Sequence, residues 1–246
     1  MSPSRLGSFW GIGVGPGPAG YIALAAVDAL KQADLILAPR ARGAKASVAL
    51  QCLEGIEISS GRVREFEFDT DLDRAMPPGR YAELAGSIAA ELSAGRSVAY
   101  LTIGDPLTYS TYGYVLAALR ERVPALACHT FPGITSFAAA ASAMGWPLAE
   151  GKDRVLILPC PDDVLALRRD IESHDVVVLM KIGARLPWVV DLLREMGIAE
   201  HCAFAGRLGL PGEVLRADLR DLETGNNTGY LATLLIRRTA RERRFQ

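Results

Sequence analysis

The clearest candidate for chemistry is a glycine-rich stretch near the start of the chain, GIGVGPGPAG at residues 11–20. From Gly15 to Gly20 it matches G-x-G-x-x-G, the spacing with which backbone N–H groups bind the pyrophosphate of a dinucleotide. Pro16 and Pro18 lie inside this match and have no N–H to donate. The alternating glycines therefore indicate a backbone pressed against another ligand or strand more than a dinucleotide phosphate loop.

The acidic residue that a dinucleotide site requires is also in the wrong place. Asp34 has the right distance along the chain from the glycines, but it begins the second predicted strand. The ribose-binding acid belongs at the end of that strand, so Asp34 is expected at the opposite edge of the sheet. A nicotinamide or flavin site is therefore the weaker interpretation.

Four further loops with distinctive residues follow predicted strands. They are GDPLTYSTYG at 104–113, PGITS at 132–136, LMKIG at 179–183 and AGR at 205–207. Ligands of open α/β sheets bind beyond the carboxyl ends of the strands. One carboxylate, Asp105, with many hydroxyls suits an ammonium, a ribose and an adenine better than a triphosphate. Asp105 could instead cap the N-terminus of a helix.

Apolar strands alternate with amphipathic helices along the whole chain, which predicts an α/β fold. Strands are predicted at 9–14, 34–39, 63–68, 97–106, 125–133, 153–159, 175–181, 202–207 and 230–238, with a polar edge segment at 214–222. Helices are predicted at 21–33, 45–55, 79–95, 111–122, 134–145, 162–173 and 186–197. The series starts again in the second half, with a join near 132–133 or 145–151. We take the domains as 1–132 and 133–246.

The composition excludes several classes of protein. Of 246 residues, 50% are hydrophobic and the net charge is -1, so no basic field for nucleic acid is present. The sequence shows neither the pattern of a secretory signal nor the ~20 apolar residues that span a membrane, which predicts a cytoplasmic protein. The four cysteines are scattered without a C-x-x-C pair, so no metal site is predicted and buried thiols are expected.

Five motifs follow one another along the chain in the order in which they occur in the tetrapyrrole methylase family of S-adenosylmethionine-dependent methyltransferases, and they resemble the motifs of that family. The motifs are GVGPG at 13–17, GDP at 104–106, PGITS at 132–136, MK at 180–181 and YLATLLIRR at 230–238. The resemblance covers nearly the whole chain. It implies two αβα domains in tandem, a homodimer, and S-adenosylmethionine bound in a cleft between the domains, with S-adenosylhomocysteine as product.

Within this family, GDPLTYSTYGYV and GWPLAEG look most like the C-20 methyltransferases of cobalamin biosynthesis, which act on precorrin-2 or cobalt-factor II. The resemblance implies that Pro16 faces the cleft. It implies that the methionine and ribose parts are held by Gly104, Asp105, Thr108, Thr135 and Ser136. It further implies an adenine pocket lined by Met180, Ala205, Gly206, Tyr230, Leu231 and Ala232.

An anionic tetrapyrrole needs local cations, because the chain as a whole is nearly neutral. Arg40, Arg42 and Lys45 follow the second predicted strand and could bind carboxylates, although a solvated loop is the alternative. Tyr109 and Tyr112 could contact the macrocycle and are the candidates for a catalytic role. Packing in the core is the alternative for both tyrosines.

One residue departs from the pattern of the family. Pro18 stands where the resemblance leads us to expect an aspartate that could act as a base. An electron-rich meso carbon can attack a sulfonium methyl group with little help, so the departure is compatible with carbon methylation. The open alternatives are methylation of a different ring carbon or another target, a nucleotide-dependent oxidoreductase, and a small-molecule binder without catalytic activity.

Overall fold

The computed structural model describes residues 6–68, 78–225 and 228–240. The chain divides into two compact units, Met1–Thr135 and Ser136–Gln246, here called unit 1 and unit 2. The predicted domains 1–132 and 133–246 place their boundary in the same loop, and the independence of the two domains stays a prediction. Within the described ranges, no helix is long and apolar enough to cross a membrane.

The described residues of unit 1 form a parallel sheet with strand order β3-β2-β4-β1-β5. Its strands are β1 (Ser8–Gly13), β2 (Leu35–Ala41), β3 (Val63–Phe68), β4 (Val98–Thr102) and β5 (Ala127–Phe131). Its helices are α1 (Leu24–Gln32), α2 (Val48–Gln51), α3 (Pro78–Ser93) and α4 (Tyr112–Arg122), with a 3₁₀ turn at Ser60–Arg62. Because all strands run the same way, the loops that follow β1, β4 and β5 meet at one edge.

One core of unit 1 lies between the sheet and helices α3 and α4. Phe9, Tyr100 and Tyr112 are fully or almost fully buried there. Phe9 and Tyr112 stack with ring centroids 5.8 Å apart. Such burial of aromatic rings provides much of the apolar contact that holds a helix layer on a sheet.

Unit 2 has a mixed sheet with strand order β6-β7-β10-β8-β9 among its described residues. Its strands are β6 (Val155–Pro159), β7 (Val176–Met180), β8 (Cys202–Gly206), β9 (Val214–Arg216) and β10 (Ala232–Arg237). Its helices are α5 (Ser136–Ala143), α6 (Val164–Ser173) and α7 (Leu186–Glu195). Strand β10 lies between β7 and β8 and runs antiparallel to both. The start of β10 therefore lies at the same edge as the ends of β7 and β8.

Three of the four cysteines are buried, namely Cys52, Cys160 and Cys202, and none of the four forms a disulfide. Burial raises the pKa of the Cys52 and Cys160 thiols to about 11. Thiols of this kind are protonated at neutral pH and react slowly. The expectation of buried thiols is confirmed for these three residues, whereas Cys128 is half-buried on the edge strand β5.

A buried arginine anchors the segment that follows α5. Arg237, which is 9% exposed at the end of β10, pairs with Asp153 at 3.0 Å and donates to the carbonyl of Pro147 at 3.0 Å. Its guanidinium also lies over the ring of Trp146, 5.2 Å from the centroid. These contacts join the segment 146–153 to the sheet of unit 2.

Replacement of Arg237 by methionine is expected to lower the free energy of unfolding by about 3 kcal/mol, because the partly buried Asp153 loses the charge that Arg237 supplies at 3.0 Å. Urea denaturation measures the change. The matched control is Arg238→Met, because Arg238 pairs with Asp175 at 3.2 Å on the exposed surface and should cost about 1 kcal/mol or less. Equal losses for the two variants would contradict the anchoring role.

Candidate functional site

Three loops of unit 1 meet at the edge where β1, β4 and β5 end. The N–H of Gly15 donates to the carbonyl of Gly104 at 3.3 Å, and the N–H of Gly104 donates to the carbonyl of Gly15 at 2.7 Å. A Cβ on Gly13 would lie 2.5 Å from the nitrogen of Gly133, and a Cβ on Gly133 would lie 2.0 Å from the carbonyl oxygen of Gly104. The loops touch through bare backbone, so glycine is required at positions 13 and 133.

The G-x-G-x-x-G match does not form a dinucleotide phosphate loop. The N–H of Gly15 is already bonded to Gly104, and helix α1 begins only at Leu24, beyond the match. Asp34 lies at the opposite edge, where its carboxylate accepts hydrogen bonds from the N–H and the hydroxyl of Ser97, both at 2.8 Å. These bonds from Ser97 hold the pKa of Asp34 below its usual value.

Asp105 ties two of the three loops together. One carboxylate oxygen accepts from the N–H of Leu107 at 2.9 Å and from the hydroxyl of Thr108 at 3.2 Å. The other accepts from the N–H of Gly133 at 3.1 Å. Helix α4 begins at Tyr112, so Asp105 does not cap it. The carboxylate therefore fixes the GDP loop against the loop that follows β5.

Most of the hydroxyls after Asp105 also bond within unit 1. Thr108 donates to Asp105, and Ser110 donates to the carbonyl of Pro106. Thr111 pairs with Tyr100 at 2.7 Å, and Tyr112 pairs with Thr130 at 2.7 Å. The run of hydroxyls, which the sequence suggested as a set of ligand contacts, mainly stabilises its own loop. Tyr109, in the same loop, is 43% exposed and has a φ of 50°.

The structure corrects the prediction that Tyr112 contacts substrate or takes part in catalysis. Its side chain is 0% exposed, stacks on Phe9, and lies directly against the backbone of Gly11. Burial raises the pKa of the Tyr112 hydroxyl above its ordinary value. Tyr112 is therefore a core residue, as the alternative interpretation held.

Replacement of Tyr112 by phenylalanine tests this correction. The variant loses the hydrogen bond to Thr130, so we expect the free energy of unfolding to fall by about 1 kcal/mol. We expect kcat and KM for methyl transfer to stay at their wild-type values. A large fall in kcat with unchanged stability would restore Tyr112 as a catalytic candidate.

The three predicted substrate cations have different surroundings. The Arg40 guanidinium pairs with Glu65 at 3.3 Å and with Glu67 at 2.9 Å, and it donates to the carbonyl of Ala44 at 2.6 Å. These contacts already neutralise its charge, which leaves little attraction for a substrate carboxylate. Arg42 and Lys45 lie in the exposed turn that follows β2.

Near this edge, unit 1 also has an unsatisfied polar group and an open depression. The hydroxyl of Thr102, at the end of β4, is buried and has no hydrogen-bond partner among the residues that the structure describes. A buried hydroxyl without a partner costs free energy unless a ligand or water bonds to it. The depression, of about 320 Å³, is lined by Gly20, Tyr21, Ile22, Ala23, Pro132, Gly133 and Ile134.

The residues predicted to line the adenine pocket meet at one edge of the unit 2 sheet. Ala232 pairs with Gly206, and the backbone N–H of Arg207 donates to the carbonyl of Leu231 at 3.0 Å. Met180 ends β7 beside them, Ala205 lies one residue before Gly206, and Tyr230 is 38% exposed just before β10. The structure therefore brings Met180, Ala205, Gly206, Tyr230, Leu231 and Ala232 together.

The remaining predicted cofactor residues lie in the loops that follow β1 and β5 and at the start of α5. Pro16 is buried in the glycine-rich loop, and Thr135 is half-buried at the end of unit 1. Ser136 begins α5, and its hydroxyl lies 2.9 Å from that of Thr233 on β10, so the two hydroxyls share one hydrogen bond. Pro18 is half-buried.

Sequence reasoning missed Thr102 as a candidate for ligand contact. The signal was present, because Thr102 is the polar residue that ends the otherwise apolar strand VAYLT directly before the GDP loop. The sequence motif PGITS included Gly133, but it did not indicate that the N–H of Gly133 donates a hydrogen bond to Asp105.

The family model for Tetrapyrrole (Corrin/Porphyrin) Methylases matches residues 8–223. The chain therefore belongs to the tetrapyrrole methylases. A solved structure, uroporphyrin-III C-methyl transferase from Thermus thermophilus complexed with S-adenyl homocysteine, has a TM-score of 0.63 and 19% identity, covering 94% of this chain and 97% of that one. This likeness confirms the predicted fold class.

Two relatives have a higher sequence identity to this chain than that solved structure has. The chain is 28% identical over 230 residues to the cobalt-precorrin-2 C(20)-methyltransferase of Salmonella typhimurium, covering 94% of this chain and 96% of that protein. It is 30% identical over 215 residues to the precorrin-2 C(20)-methyltransferase of a Sinorhizobium species, covering 84% and 86%. The predicted family is confirmed, and both relatives carry the activity that the sequence motifs favoured.

Proposed function

We propose that this protein transfers a methyl group from S-adenosylmethionine to carbon C-20 of precorrin-2 or cobalt-factor II in cobalamin biosynthesis. The observation that carries the proposal is the nearly full-length similarity to relatives that bear the names of this one reaction. One relative is named for a cobalt-containing substrate and the other for a substrate without cobalt, so both metal states belong to the proposal.

The residues present fit S-adenosylmethionine. The edge of unit 1 offers the hydroxyl of Thr102, which has no hydrogen-bond partner among the described residues. We propose that Pro16, Gly104, Asp105, Thr108, Thr135 and Ser136 form the sites for the methionine and ribose parts. Asp105 and Thr108 contribute chiefly by fixing the loop, because their side chains bond to each other. At the edge of unit 2, we propose Met180, Ala205, Gly206, Tyr230, Leu231 and Ala232 as the pocket for the adenine ring.

Bound S-adenosylmethionine supplies a methyl group on a positively charged sulfur, which is already a good leaving group. The protein therefore has to hold the nucleophilic carbon of the substrate in line with the carbon–sulfur bond, and rigid loops serve this purpose. The Asp105 carboxylate already accepts three hydrogen bonds, from Leu107, Thr108 and Gly133. It is poorly suited to remove a proton from the substrate, and with Pro18 in place of an acid we assign no base.

Three exposed residues are our candidates for binding the substrate. Arg42 and Lys45 lie in the exposed turn after β2, and Tyr109 is exposed beside the GDP loop. Arg40 is a weaker candidate because of its pairs with Glu65 and Glu67. The homodimer and the cytoplasmic location stay predictions.

Two measurements separate this function from the alternatives. S-adenosylhomocysteine should raise the melting temperature, whereas NAD and NADP should not, because only a ligand of the native state stabilises it. Labelled methyl should then pass from S-adenosylmethionine to a tetrapyrrole. Stabilisation by NAD or NADP alone would favour an oxidoreductase, and stabilisation by S-adenosylhomocysteine without methyl transfer to any tetrapyrrole would leave only a binding protein.

A further inference from the structure

Three non-glycine residues with left-handed backbone lie together at the edge of the unit 2 sheet. Lys181 follows β7 with a φ of 55°, Arg207 follows β8 with a φ of 51°, and Leu231 precedes β10 with a φ of 51°. Because β10 lies between β7 and β8 and runs antiparallel to both, these residues lie side by side. Glycine would adopt this conformation without strain, whereas these three residues strain the backbone. Strained backbone of this kind is found at many functional sites.

Two of the three residues are cations without a carboxylate partner in the described ranges. Arg207 donates its Nε to the carbonyl of Pro211 at 2.7 Å, and this bond fixes the guanidinium. Its other guanidinium nitrogens have no acceptor among the described residues. Lys181 is exposed and has no hydrogen bond or ion pair among the described residues, and the protein beside it lowers the pKa of its ammonium by desolvation. The charges of both residues are therefore available to an anionic ligand.

We propose that Lys181 and Arg207 bind carboxylates of the tetrapyrrole substrate and so select a polycarboxylate macrocycle. The inference rests on the proposed function. Because one strand separates β7 from β8, the two residues stand about 10 Å apart. Two carboxylates on the rim of one macrocycle can reach both. Arg207 offers a planar fork for a carboxylate, and Lys181 offers a point charge.

Lys181 and Arg207 can offer their positive charges to a substrate carboxylate, whereas Arg40 cannot. The Arg40 guanidinium is neutralised by Glu65 and Glu67 on the neighbouring strand, whereas Lys181 and Arg207 have no acidic partner within the described part of the chain. The carboxylate of the methionine part of S-adenosylmethionine is the second anion that Lys181 and Arg207 could bind. The experiment therefore measures both ligands separately.

The test compares wild type with Lys181→Met and Arg207→Met, which remove the charges but keep apolar length. The first measurement is the Kd of cobalt-factor II from quenching of tryptophan fluorescence. The second is the Kd of S-adenosylhomocysteine by titration calorimetry. The third is KM and kcat for methyl transfer. The conservative variants Lys181→Arg and Arg207→Lys test rescue, and Arg169→Met, at an exposed residue of α6, is the matched control.

We expect each methionine variant to raise the Kd and KM for cobalt-factor II about tenfold or more. The Kd of S-adenosylhomocysteine and kcat should not change, and the conservative variants should recover most of the affinity. Lys181→Gly removes the charge and relieves the strained backbone, so the same loss there excludes misfolding as the cause.

Unchanged affinity for cobalt-factor II in both methionine variants would overturn the inference while leaving the proposed function intact. Weaker binding of S-adenosylhomocysteine alone would also overturn it, by assigning the cations to the carboxylate of the cofactor. A wild-type protein that neither binds nor methylates cobalt-factor II or precorrin-2 would contradict the proposed function itself.

Discussion

Replacement of Asp105 by alanine is expected to raise the Kd of S-adenosylhomocysteine about 100-fold, because the ligand would then have to order the edge that the carboxylate now holds. The variant leaves the N–H groups of Leu107 and Gly133 and the hydroxyl of Thr108 without their acceptor. We expect the free energy of unfolding to fall by about 2–4 kcal/mol as well. Titration calorimetry and urea denaturation measure the two effects.

Asp163→Ala is the matched control for Asp105. The Asp163 carboxylate accepts from the N–H two residues ahead, that of Leu165, at 2.9 Å, in the same way as Asp105 accepts from Leu107. It caps helix α6 and makes no bond to a second loop among the residues that the structure describes. The control should lose about 1 kcal/mol of stability and keep its affinity for S-adenosylhomocysteine. If Asp105→Ala also kept its affinity, the role of the GDP loop in cofactor binding would be wrong.

Replacement of Gly133 by alanine should have the largest effect on stability among single methyl additions at this edge. The new Cβ would lie 2.0 Å from the carbonyl oxygen of Gly104 and 2.8 Å from the Cα of Gly13. Both contacts are with backbone, so the loops have to separate. We expect a loss of about 3 kcal/mol or more, together with loss of S-adenosylhomocysteine binding.

Gly113→Ala is the matched control for this substitution. Gly113 lies in the first turn of α4, and a Cβ there would meet nothing within 4 Å. Because alanine favours a helix over glycine, this variant should gain about 0.5 kcal/mol. A Gly133→Ala protein with the melting temperature of wild type would show that the loops do not pack as described.

Much of the fold could be predicted because several strands, such as β1, β4 and β7, are apolar runs with a glycine at or shortly after their end. The prolines in the glycine-rich stretch also sufficed to argue against a phosphate loop, and the structure adds the bond between Gly15 and Gly104. The direction of β10 could not be predicted, because periodicity identifies a strand without its orientation. That orientation places the start of β10 beside the ends of β7 and β8.

The roles of individual site residues depended on contacts between distant parts of the chain. The position of Asp105 at a strand end could be predicted, but its bond to Gly133, 28 residues away, could not. Arg40 looked available because its partner Glu67 lies on β3, and only the pairing of β2 with β3 places them together. Tyr112 looked available to the substrate because nothing local shows that its ring lies against Gly11.

The most direct test of the proposed reaction is the position of the new methyl group. Precorrin-2 and cobalt-factor II are each incubated without oxygen with the protein and S-adenosylmethionine labelled with ¹³C in the methyl group, and the products are examined by NMR. The proposal predicts a single labelled methyl on C-20 of at least one of the two tetrapyrroles. A labelled methyl on any other ring carbon, or no label on either tetrapyrrole, would contradict it.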